Sequence, residues 1–150
     1  MPRFWMVRAG EGGYLVDEFE KASHIGIGFE GAGAFTNFKT QNQIRALLAE
    51  VYPEIAPNAL ANAASMAYKF RHVMKNGDRV VTYDPKRREY LVGTIEGDYR
   101  YATDVLPDYF HVRKVHWSGR VSRDSLSTTS KNTLGSTLSV FEPGEEVLKA

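Results

Sequence analysis

NGDRVVTYDPKRREYLVGTIEGDY, residues 76–99, decides the fold. Val80 to Tyr83 and Glu89 to Glu96 are rich in β-branched and aromatic residues, which favour extended backbone. Asp84-Pro85-Lys86-Arg87 lies between them and carries proline at the second position of a turn. This is a β-hairpin, introduced by a Lys75-Asn76-Gly77 helix stop.

The chain around the hairpin sorts into elements. Upstream, Pro57-Asn58 opens a helix whose apolar stripe is Leu60, Ala63, Ala64, Ala67, Phe70 and Met74. Its alanines allow close approach to a sheet. Before it, Thr40-x-x-Gln43 is a capping box, followed by Ile44, Leu47, Leu48 and Val51 at helical spacing. Arg3 to Ala9 and His24 to Phe29 read as opening strands, and Tyr14 to Lys21 as a helical turn between them. Downstream, Tyr99 to Ala102, His111 to Trp117 and Leu138 to Phe141 continue the β pattern. A helical turn is expected at Arg123 to Leu126, inside the polar stretch 122–136. The order β–β–α–α followed by an antiparallel meander predicts an α+β fold: a small closed or half-closed barrel flanked by helices.

Composition narrows the chemistry. At 150 residues the chain has the length of one domain and can bury about two-thirds of its surface. It has no cysteine, which excludes disulfides, thiolate metal sites and a cysteine nucleophile. The four histidines show no metal-binding spacing, so no metal or cofactor is expected. No apolar run is long enough to span a membrane and no signal peptide opens the chain, so a cytoplasmic location is the default expectation.

Net charge is only +1, but it is unevenly spread. Residues 11–30 are acidic, whereas 69–88 and 111–131 are basic. This pattern predicts one basic face, of the kind that attracts phosphate backbones. Solvated faces of an ordinary domain would give the same pattern.

Catalytic motifs are lacking. Gly26-Ile27-Gly28-Phe29-Glu30-Gly31 spells GxGxxG, yet loop rather than helix follows it, so it is not read as a dinucleotide site. There is no ExK nuclease signature and no GxSxG elbow. Were the domain an enzyme acting on a nucleobase or small ligand, Glu11, Glu30 and Asp84 would be its acid–base candidates. The remaining signal is aromatic and basic: Trp5, Phe29, Tyr83, Tyr90, Tyr99, Tyr101 and Trp117 lie in or beside strands, near arginines. Such groups can stack a base and hold its phosphates. They are also the residues that fill cores. Arg8 falls on the opposite pleat face from Trp5.

FWMVRAGEGGY, HIGIGF, NGD, VVTYD and HVRKVHW, in this order, resemble the PUA-like superfamily, especially its EVE and YTH-like branches. They also resemble the amino-terminal domain of Mrr-like modification-dependent restriction endonucleases. The resemblance covers roughly residues 3–141. It implies a pseudo-barrel of five to six mostly antiparallel strands with two to three helices, over residues 1–142. Residues 143–150 would then start a linker or helix, leading in the natural protein to a nuclease domain.

It further implies a reader without catalytic residues of its own. A flipped, modified DNA base would enter a pocket in which the family's aromatics correspond to Trp5 and Phe29; Arg8, Asn37, Tyr83, Asp84 and Ser136 are this chain's own further candidates for it. Phe29 stands where relatives often carry tryptophan. Lys86, Arg87, Arg113, Lys114 and Arg120 would contact phosphates. An RNA-binding PUA-type module is the alternative partner reading.

Overall fold

The computed structural model describes residues 3–125 and 140–141. It is an α+β fold in which a curled mixed sheet wraps one side of a helical layer, a half-barrel consistent with the pseudo-barrel expected.

The hairpin forms as read. β3 (Arg79–Asp84) pairs antiparallel with β4 (Glu89–Ile95), with Val81 opposite Val92 and Tyr83 opposite Tyr90. Asp84 fixes the turn, its carboxylate accepting from the amides of Lys86 and Arg87. The helices also follow their signals. α2 (Gln41–Val51) starts on the Thr40–Gln43 capping box, both halves of which are made. α3 (Pro57–Tyr68) has proline at its first turn and runs into a π-helical turn over Lys69–Val73. Ala63, Ala64 and Ala67 are buried, so α3 lies close to the sheet.

Tyr14 to Lys21 proves to be more than a turn: α1 covers Val16–Ala22 and buries Val16 and Phe19. β1 (Phe4–Val7) and β2 (His24–Ile27) flank it in sequence. The expected strand at Tyr99 shrinks to β5 (Arg100–Tyr101), whereas the one at His111 lengthens to β6 (His111–Ser122). A 3-10 turn follows at Arg123–Ser125. The last strand, β7, is Val140–Phe141.

The hydrogen-bonded order is β2-β6-β4-β3-β1-β7, with β5 also on β6. The sheet departs from a pure antiparallel meander at one place: β1 is parallel to β3, Trp5 lying opposite Val80. A parallel partner needs a long connection, and residues 8–78, carrying all three α-helices, supply it. The long β6 joins the two halves. His111 to Lys114 pair with β2, and Val115 to Ser122 pair with β4. The β4–β6 register shifts at Val92/Gly93. A Cβ on Gly93 would lie 2.6 Å from the His116 carbonyl oxygen, so glycine permits this approach.

Strand alternation makes two cores. Trp5, Val7, Val80, Leu91 and Ile95 face the helices and join Phe19, Phe35, Ile44, Leu48 and Phe70. Phe4, Met6, Val81, Tyr90 and Val92 form a smaller cluster on the other face. Among the described residues, no helix is long and apolar enough to cross a membrane.

Candidate functional site

β2 ends at Ile27, and the chain turns away through Gly28 and Phe29. Phe29 has φ 67° and ψ 36°, a left-handed conformation that costs a bulky residue about 1–2 kcal/mol. A 3-10 turn over Glu30–Ala32 follows. No helix opens at Gly31, so GxGxxG lacks the context of a dinucleotide motif. Gly26 has a packing role instead: a Cβ there would meet the Leu106 side chain at 2.8 Å and the His111 carbonyl at 3.2 Å.

A buried polar chain holds Phe29 in place. The Phe35 amide donates to the Tyr99 hydroxyl at 2.8 Å, leaving that hydroxyl's proton for His111 Nδ1 at 2.7 Å. His111 Nε2 then donates to the Phe29 carbonyl at 3.0 Å. This sequence of donors fixes a neutral imidazole protonated on Nε2. His111 is fully buried, and burial pushes its pKa below the ordinary histidine value, against the upward pull of the Phe29 bond and Glu30. Phe35 stacks on the imidazole at 4.1 Å with an 11° interplanar angle. Burial likewise raises the Tyr99 hydroxyl to about 12, so it stays protonated.

Beside this chain lies a cleft of about 220 Å³, lined by Arg8, Gly26, Ile27, Gly28, Phe29, Met66 and Tyr109. It is smaller than a drug-sized pocket and suits one flat ring system. Phe29 and Tyr109 supply aromatic surface, Ile27 and Met66 supply apolar surface, and Arg8 supplies a cation. The glycines leave the strand backbone within reach. Phe29 is itself held edge-on to Tyr52, at 6.4 Å. Arg8 also borders a second cleft of about 190 Å³ with Met6, Gly13, Tyr83 and Pro85.

The expected pocket residues therefore divide. Arg8 and Phe29 meet in the first cleft, and Arg8 and Tyr83 in the second. Trp5 does not reach either. It is 1% exposed, and its indole Nε1 donates to Asp78 at 2.9 Å, so it is a core residue rather than a stacking wall. Asp84 is buried and paired with Arg120 at 3.1 Å and Arg87 at 3.3 Å, so it cannot read a base edge. Asn37 lies elsewhere, beside α2 with Gln43 and Glu50. Ser136 falls outside the described residues.

Several expected phosphate contacts are spent inside the fold. Arg113 is buried and donates to the carbonyls of Gly97, Phe70 and Met74, and to Asn76 Oδ1. It caps the carbonyls at the end of the α3 segment and is no surface contact. Its phase in β6 marks it, since it shares the inward face of Val115 and Trp117 while Lys114 and His116 point out. Arg120 contacts Asp84, Glu89 and Glu20. Arg87 contacts Asp84 and lies 3.9 Å from Glu20. The acidic opening and the basic hairpin thus meet, and the single basic face expected there is largely neutralised. Lys86 and Lys114 remain exposed. Of the acid–base candidates, Glu11 and Glu30 are exposed. Among the described residues no group of three histidine or acidic side chains could hold a metal ion.

Sequence reasoning missed Tyr99, Tyr109 and His111 as parts of one site, because residues 26–35 and 99–111 meet only through β2–β6 pairing. It also missed Met66, which α3 brings to the same cleft.

The chain is thus an α+β half-barrel with an aromatic-walled cleft at the end of β2. The chain belongs to the family described as domain of unknown function DUF8426, whose model matches residues 5–142. No curated protein matches it. Among solved structures it is similar to a hypothetical protein from Leishmania major, at 9% identity and a TM-score of 0.42, over 99% of this chain and 91% of that one.

Proposed function

We propose that this domain is a nucleic-acid reader of the PUA-like kind, taking a single base into the cleft between Phe29 and Tyr109. The supporting observation is that cleft: about 220 Å³, aromatic on two sides, with Arg8 at its edge and Met66 beside it. Met66 and Ile27 offer an apolar, polarisable surface suited to a methyl-sized modification. A base flipped from a duplex forfeits a few kcal/mol of stacking. Aromatic contacts in the cleft recover about 1–3 kcal/mol per base. Lys86 and Lys114 supply non-specific attraction to the backbone. Modified DNA is the favoured partner, with the domain as the targeting module of a cytoplasmic restriction or defence protein whose cutting activity resides in another domain.

The test is fluorescence anisotropy with duplexes carrying modified or unmodified bases, and with matched RNA as competitor. One modified duplex should bind at least tenfold more tightly than its unmodified counterpart. Phe29→Ala should weaken that binding by about tenfold to a hundredfold. Equal affinity across the panel, unchanged by Phe29→Ala, overturns the reading. Preferential competition by RNA moves it to RNA processing.

A further inference from the structure

A third cavity, about 480 Å³, opens between the end of the α3 segment and the loop before β5. Arg71, Lys75, Asn76, Asp98, Tyr99 and Arg113 border it. Two guanidinium groups therefore face one space. Among the described residues, neither has a carboxylate within 4.0 Å. Arg113 is met by carbonyl dipoles alone, plus the Asn76 amide oxygen. Burial pushes its pKa down; Asp98 and Asp78 oppose that shift, and the neighbouring charge of Arg71 adds to it.

Arg71 is the less satisfied of the two. Its guanidinium carbon lies 5.1 Å from the centre of the Tyr99 ring, and its Nε is buried with no hydrogen-bond acceptor. Buried cations ordinarily carry an anionic partner. A planar guanidinium held on an aromatic face has already lost part of its hydration, so it gains more from an anion than a solvated one does. Lys75 stands exposed at the rim. Asp98, the one carboxylate on the cavity wall, accepts from the Asn76 side chain at 3.1 Å.

We infer that this cavity is a phosphate site, in which Arg71 and Lys75 grip the anion and Arg113 supplies fixed positive charge behind them. Guanidinium forks match the tetrahedral oxygens of phosphate, and the ammonium adds a mobile third contact. The phosphate belongs either to a nucleic-acid strand or to a free phosphorylated small molecule. The site is distinct from the base cleft, since their linings share no residue; Tyr99 borders this cavity and reaches the cleft through His111 and the Phe29 carbonyl.

The experiment follows the arginine Nε–H resonances of the full chain during titration with inorganic phosphate, against sodium chloride at matched ionic strength. Saturable shifts at Arg71 and Arg113 with phosphate, absent with chloride, are expected. Arg71→Gln should weaken binding at least tenfold, and Lys75→Gln several-fold, while Arg45→Gln on α2 leaves it unchanged. Lys75→Gln alters an exposed side chain and keeps the test decisive if Arg71→Gln disturbs folding.

Thymidine oligonucleotides with and without a 5′-phosphate separate the sources. Shifts with both support a strand phosphodiester, and shifts with the phosphorylated one alone support a terminal or free phosphate. Phosphate shifts no larger than those of chloride, or unaffected by either substitution, overturn the site. The base-reader proposal fails separately, through the modified-duplex panel and Phe29→Ala.

Discussion

His111 donates its Nε2 proton to the carbonyl oxygen of Phe29 at 3.0 Å, tying the start of β6 to the one bulky residue whose backbone is left-handed at the cleft. Replacing His111 by phenylalanine keeps the stack with Phe35 but strands the Phe29 carbonyl and the Tyr99 hydroxyl. We expect a loss of about 1–3 kcal/mol in urea unfolding at pH 8.

The same pair sets a pH dependence. The folded His111 pKa is depressed, so between it and the unfolded value of about 6.5 the unfolded chain binds more protons. The stability gained from the neutral imidazole is complete above that range and falls as pH drops through it. Wild-type stability should therefore decline between pH 7 and pH 5 more steeply than that of His111→Phe. Parallel profiles for the two proteins would remove His111 as the cause.

Phe29→Ala and Phe29→Gly separate the ring from its backbone. Both lose the aromatic wall and should bind nucleic acid equally weakly. The left-handed conformation still strains alanine but not glycine, so Phe29→Gly should be the more stable variant by about 1 kcal/mol. Thermal unfolding of the pair checks this.

Trp5 should behave as core. Trp5→Ala opens a cavity beneath the sheet and should cost about 3–5 kcal/mol. Trp5→Phe, which keeps most of the volume and loses the bond to Asp78, should retain base preference. Loss of base preference in a folded Trp5→Phe protein would return Trp5 to the site.

Asp84 governs the acid limb. Burial pushes its carboxyl up, but hydrogen bonds from Arg120 and the Arg87 amide, with both positive charges, outweigh this and hold it below the usual carboxylate value. Its contribution is complete above about pH 4 and disappears as pH falls through the lowered folded value. Asp84→Asn should cost about 3 kcal/mol at pH 7, the lower end for breaking a buried pair, because Arg120 keeps Glu20 and Glu89. Below pH 4 it should unfold with a flatter acid limb than the wild type. Equal stability of the two proteins at pH 7 would discount the pair.

What the residues disclosed in advance was local. The Thr40 capping box, the alanine stripe of α3 and the Asp84–Arg87 turn depend on neighbours within a few positions, and each formed where expected. The parallel β1–β3 pairing was hidden, because nothing in FWMV names a partner more than seventy positions away. The site suffered from the same limit. Trp5 and Phe29 could be suspected from their strand-end positions, yet Trp5 is core, and Tyr109 and Met66 join Phe29 only through tertiary packing. Charge was the least legible feature. A run of arginines cannot show that Arg113 caps helix carbonyls, or that Arg120 closes on Glu20, one hundred residues earlier.

The position of β6 has a consequence for how the chain acquires its shape. β2 and β4 have no hydrogen-bonded contact with each other, and both are bound by residues 111–122. Until that stretch leaves the ribosome, β1 can pair with β3, but β2 and the β3–β4 hairpin lack the strand that joins them. Neither the His111 bond to Phe29 nor the Arg113 cap on α3 can exist before then. Assembly therefore waits on contacts between distant parts of the chain, which is the condition that slows folding. The cationic cavity takes Arg113 from β6, and Phe29 at the cleft takes its carbonyl's partner, His111, from the same strand, so the two would mature together, in one late cooperative step.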